Sequence, residues 1–172
     1  MENQANSKSI ILNYGLITGG ASVFIALIAF AMGNSANPGI PLTILGFLVP
    51  TILIVLGIKK FKSINGGFLS WGQAVKIGVG ISLVWAVIAL TFQFILENYI
   101  DPTILEQKIE LTRTALENWG MDQDVIDEQI EKQRNQSPLL TNAMGLMMIA
   151  FIGFVISAIA GAIMKESSEN EY

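Results

Sequence analysis

The chain has 172 residues, of which 14% are charged and 52% hydrophobic, with a mean hydropathy of +0.54. An average soluble domain carries about 25% charge, so this balance points to a membrane. With no His and no Cys, disulfides, thiolate nucleophiles, iron–sulfur and zinc-ribbon sites, Ser-His-Asp triads and HExxH metal sites are all excluded.

A spanning helix needs about 20 mostly apolar residues to cross roughly 30 Å of hydrocarbon. Four stretches meet this. The first, residues 10–32, has no charge. Its apolar run is longer than a signal peptide's, and Gly15, Gly19 and Gly20 suit a packed helix. It is read as a retained span, although Ala29-Phe30-Ala31 resembles a cleavage site. The turn-like run 33–39 leads to the second span, residues 40–58, with Pro41 placed to start it and Pro50 to kink it. The third, residues 71–96, opens with Ser70 and Gln73 in capping-box spacing. The fourth, residues 139–164, follows Ser137-Pro138, an N-cap with Pro at the first helical position. In lipid every backbone amide must be bonded within its own segment, so the spans are expected to be helices.

Between the third and fourth spans, residues 97–138 carry ten acids and four bases, a net charge of −6. Asp101-Pro102 starts a helix, and Leu105, Ile109, Leu116 and Trp119 form its apolar stripe. Gly120 stops it, and Asp122 is placed to cap a second helix running to about Gln136. A helical hairpin over residues 101–136 follows, with its tip at Trp119-Gly120-Met121. The expected fold class is therefore an all-α membrane protein. It has four transmembrane helices, with an extracytoplasmic acidic helical hairpin between the third and fourth, all in one domain over residues 1–172.

The second loop holds Lys59, Lys60 and Lys62, with Lys76 just inside the third span, and these lysines set the topology, because Lys and Arg stay on the cytoplasmic side. Lys8 and Lys165 agree with them, and the first loop is uncharged. Both termini are expected in the cytoplasm, in a multi-pass membrane protein.

Small residues at four-residue spacing let helices approach closely in lipid. Gly15 and Gly19, Gly78 and Ser82, and Gly153, Ser157 and Gly161 are the candidate packing residues. The same stripes can also mediate a homo-oligomer.

Chemistry is harder to find. No Asp or Glu falls inside a span, and Lys76 lies near enough to an end to snorkel. Gln93 and Asn142 are the deepest amides, placed to bond across helices. Ser70 or Ser82 with Lys76 is a poor Ser–Lys pair, because residues six apart do not face each other on a helix. The hairpin acids lack EF-hand spacing, and its net charge would repel nucleic acid. No catalytic residue, metal site or cofactor is expected.

Three segments carry a family likeness: Asn13-Tyr14-Gly15-Leu16-Ile17; the run from Asn65-Gly66-Gly67 through Ser70-Trp71-Gly72-Gln73-Ala74; and Tyr99-Ile100-Asp101-Pro102 with Trp119-Gly120-Met121 and Ser137-Pro138 after it. In this order of parts the chain resembles a family of small bacterial membrane proteins, typical of the Bacteroidetes group, known as domain of unknown function four-one-nine-nine. The resemblance implies an integral membrane protein of four spans; it implies no activity, and no catalytic residues can be carried over from it. The expected role is a non-catalytic scaffold or accessory subunit. It would dock another membrane or periplasmic protein through Leu105, Ile109, Leu116, Trp119 and Met121. The alternative is a small oligomeric transporter or channel component.

Overall fold

The computed structural model of the chain describes residues 6–166. Helix α1 spans Ser7–Ala31, and the Asn6 side chain caps it by accepting from the Ser9 amide at 3.3 Å. Helix α2 spans Gly39–Ile64, α3 Trp71–Ile95, α4 Thr103–Asn118, α5 Gln123–Asn135 and α6 Pro138–Met164. A π-helical turn, Leu96–Ile100, prolongs α3. The four long helices, counting that turn with α3, are long and apolar enough to cross a membrane. Among the described residues there is no β-strand. The protein is an all-α, multi-pass membrane protein.

Two boundaries differ from the sequence reading. Helix α2 runs on to Ile64, so Lys59, Lys60 and Lys62 ride its last turns rather than a loop. Lysine is a good helix former and favours the negative end of the helix dipole, so the chain continues until Asn65-Gly66. At its other end α2 begins at Gly39, two residues before Pro41. Pro38 already holds a helical φ of −66° at the cap. Ser70 and Gln73 form the expected capping box at the start of α3, with bonds of 3.2 and 2.9 Å.

Helix α3 is the central element. It packs α1 on one flank and α6 on the other, and α2 covers the gap. Among the described residues the backbones of α1 and α6 do not approach each other. The α3–α6 contact is antiparallel and advances in steps of four and then eight residues. Ala74 faces Gly161, Gly78 faces Ser157, Ser82 faces Gly153, and Leu90 covers Gly145. The α1–α3 contact is parallel and alternates large with small: Ile11 on Gly80, Val84 on Gly15, Ile88 on Gly19. In lipid no hydrophobic force draws helices together, so van der Waals contact at close range must do it. Glycine permits that range.

Three buried hydroxyls obey the same constraint, whereas the Ser22 hydroxyl and the Trp85 indole N–H are buried without a partner among the described residues. Thr18, Ser82 and Ser157 donate to carbonyls of their own helices, at 2.7, 2.9 and 2.6 Å. None needs a partner across the interface, and none is left unpaired at the cost that burial would impose.

At the lysine-rich end the packing is apolar and deep. Ile54, Ile58 and Phe61 of α2 meet Ala74, Ile77 and Ile81 of α3, with Ile10, Leu69 and Ala160 around them. The antiparallel register continues beyond the helices. Leu69 and Glu166 exchange backbone hydrogen bonds at 3.0 and 2.9 Å. Lys62 pairs with the Glu166 carboxylate at 2.6 Å, which holds that carboxyl below the usual glutamate range. The indole Nε1–H of Trp71 donates to the Ala158 carbonyl at 3.1 Å.

Candidate functional site: the hairpin and its socket

Helices α4 and α5 make an antiparallel pair with a small core of its own. Ile109, Ile126 and Ile130 are buried there, with Leu116 packed against them. The turn between them needs glycine. Gly120 has a φ of +72°, and the Met121 amide reaches back to the Leu116 carbonyl at 3.2 Å, the left-handed stop that L side chains resist. Ion pairs stitch the two helices along their length, Arg113 to Asp127 at 3.1 Å and Arg134 to Glu106 at 2.7 Å. Within α5, Lys132 pairs with Glu128 at 2.6 Å and holds that carboxyl low.

This arrangement divides the stripe read as a docking surface. Ile109 is only 3% exposed and belongs to the hairpin's interior, so it offers nothing to a partner. Leu116 is half-buried beside it. Leu105 lies at the base of the hairpin. Only Trp119, 78% exposed, and Met121 present themselves at the tip. The stripe splits because α5 covers its middle, and a helix pair buries the face it shares. A shallow cleft of about 570 Å³ runs beneath Trp119, with Leu116, Gln129 and Gln133 among its walls.

The caps also differ in part. Asp122 stands at the N-cap of α5, but its carboxylate makes no capping bond. Asp101 does receive the Thr103 amide, at 3.1 Å, and the Thr103 hydroxyl. The acids remain dispersed: among the described residues no group of three or more is placed to hold a metal ion.

The hairpin joins the bundle at the π turn. Glu97, on that turn, accepts from Gln93 one turn earlier and from Lys108 of α4. Gln93 therefore bonds along its own helix, not across to another as expected. Leu96 and Ile104 are buried on either side of this joint, and Phe94 packs edge-on to Tyr99 with ring centroids 6.1 Å apart.

Next to the joint the small-residue contact between α3 and α6 ends. Leu90 is the first bulky residue of the series, and two cavities open beyond it. One is a pocket of about 250 Å³ that sets Gln93, Glu97, Lys108, Arg134 and Asn142 among apolar residues such as Phe94 and Leu105. The other is an apolar groove of about 820 Å³ between the two helices. The pocket escapes sequence reasoning because its lining comes from four separate helices. The charge pattern alone gives no sign that Glu97 and Lys108 meet.

The candidate packing residues fall into their contacts as described above. Of the lysines expected to set the topology, Lys62 is paired with Glu166, while Lys59, Lys60 and Lys76 are exposed at the same end.

Fold and site together define a class: a small multi-pass helical membrane protein with a stapled hairpin seated on one end of the bundle. The chain belongs to the family described as protein of unknown function (DUF4199), whose model matches residues 13–166. No curated protein and no solved structure matches it.

Proposed function

We propose that this is a non-catalytic scaffold or accessory subunit of the bacterial inner membrane that docks a partner through its hairpin tip. The observation that carries the reading is Trp119, 78% exposed at the end of a hairpin that has its own core and ion pairs. Large aromatic side chains on a rigid, exposed support are the residues that dominate protein–protein contacts. Met121 and the cleft below Trp119 extend the surface. The tight contacts from Ala74–Gly161 to Leu90–Gly145 support a packed bundle over a conduit. The lysines at the opposite end favour an orientation with both termini in the cytoplasm and the tip outside.

Photo-crosslinking in intact cells from a probe at Trp119, compared with one at Glu110 on the same helix, tests this. A defined adduct from position 119 that is absent from position 110, and lost in Met121→Lys, is expected. Deleting residues 103–135 with no change in the proteins co-extracted in mild detergent would overturn it.

A further inference from the structure

We infer that the socket beneath the hairpin is a binding site for one bilayer phospholipid with a zwitterionic headgroup. The charged pocket and the apolar groove share Leu90, Phe94, Pro138 and Asn142, so they adjoin along the α3–α6 seam, where a lipid can place its headgroup in one and its chains in the other. This is a site distinct from the hairpin tip, and it does not depend on any partner docking there.

Each half of the space selects its own part of the ligand. The groove, walled by Val87, Leu139, Ala143 and Leu146, lies between two helices apolar enough to span a membrane. Acyl chains are the material available to fill it there. The pocket lies where α3 gives way to the π turn, at the end of the span, where headgroups reside. Lys108 and Arg134 supply charge-assisted donors for a phosphate. Arg134 gives one contact to Glu106 and has further guanidinium N–H groups to spare.

The carboxylates decide the headgroup. Lys108 already faces Glu97, and Arg134 already faces Glu106. A headgroup of net negative charge would add repulsion from both acids. One that pairs its phosphate with an ammonium group meets Lys108 and Arg134 with the first and Glu97 with the second. Asn142, on the wall common to both halves, stands where the glycerol esters would pass.

Native mass spectrometry of the delipidated full chain in detergent tests the site. It would be supplied in turn with phosphatidylethanolamine, phosphatidylglycerol and free phosphorylethanolamine. One phosphatidylethanolamine should be retained, with about tenfold preference over phosphatidylglycerol, the loss of roughly one charge-assisted contact. Ala143→Trp fills the groove without touching the pocket, and Arg134→Gln removes a phosphate donor. Each should lower retention about tenfold, again the scale of one such contact. Because Arg134→Gln also breaks the pair with Glu106, Ala143→Trp keeps the test independent of hairpin packing. Equal retention of both phospholipids, unchanged in both variants, would mean ordinary boundary lipid and overturn the inference. So would free phosphorylethanolamine binding as well as the intact lipid, since the groove would then contribute nothing.

Discussion

Gly153 lies so close to Ser82 that a Cβ built on it would stand 1.8 Å from the Ser82 hydroxyl oxygen. No rotamer of a larger residue relieves an overlap of that size, because the neighbour is itself buried on a packed helix. Gly153→Leu should therefore destabilise the bundle by about 3 kcal/mol or more, at the upper end of overpacking costs. Thermal unfolding in detergent, followed by helical circular dichroism, measures it. A midpoint equal to wild type would refute the contact.

Ser157 offers the opposite expectation at a neighbouring position. Its hydroxyl donates to the Gly153 carbonyl of its own helix, so Ser157→Ala removes a local bond and fills no space. Its cost should be about 1 kcal/mol or less. Ser157→Leu, driven into Gly78, should behave like Gly153→Leu. The two substitutions separate size from polarity at one site.

Adjacent glycines in α1 give an internal control. A Cβ on Gly19 would come within 2.5 Å of the Ile88 side chain, whereas one on Gly20 would meet nothing within 4 Å. Gly19→Ala should lower the unfolding midpoint. Gly20→Ala should leave it unchanged or raise it, since alanine in place of a helical glycine is worth roughly 0.5–1 kcal/mol. A reversed order would place a different face of α1 against α3.

Glu97 is the joint that sets the hairpin on the bundle. Glu97→Gln weakens its contacts with Gln93 and Lys108 together. Amide hydrogen exchange in α4 should accelerate about tenfold, the equivalent of one charge-assisted bond, while the α3–α6 contact keeps its protection. Lys108→Met should reproduce the effect, and the double variant should add little to either. Full additivity would mean that the two residues act separately.

The clasp at the other end responds to acid. Glu166 has its carboxyl held below the ordinary glutamate value by Lys62. A lowered folded value means that the carboxylate's contribution is present at and above the ordinary range and is lost as the pH falls through the lowered value. A carboxyl ¹³C titration should give a Glu166 midpoint below that of a free glutamate. Lys62→Met should move it back up. A midpoint that ignores Lys62 would exclude the pair in solution.

Much of the architecture was legible because single residues announce it. Long uncharged runs can only be spans. Ser70 with Gln73, and Gly120 after the Trp119 stripe, mark helix ends through local bonds that need no distant partner. The small-residue spacings were visible too, but their mates were not: a stripe on α3 reads the same whether it meets α1, α6 or another copy of the chain. The lysines of α2 misled for a local reason, since charge suggested a loop where lysine simply extends a helix. The docking stripe misled for a tertiary one, since periodicity names a buried face without saying what buries it, and Ile109 went to α5.

Composition and periodicity by themselves determined that this protein crosses a membrane four times and carries one charged helical hairpin. Those features follow from the cost of unbonded backbone and of charge in hydrocarbon, which every residue meets on its own. The tertiary structure decided that α3 is the centre, that Leu90 ends the tight contact, and that Glu97, Lys108, Arg134 and Asn142 converge on one socket. Such convergence depends on distances between segments far apart in the chain. Van der Waals contact and ion pairing act at a few ångströms, and only the folded bundle brings those residues that close.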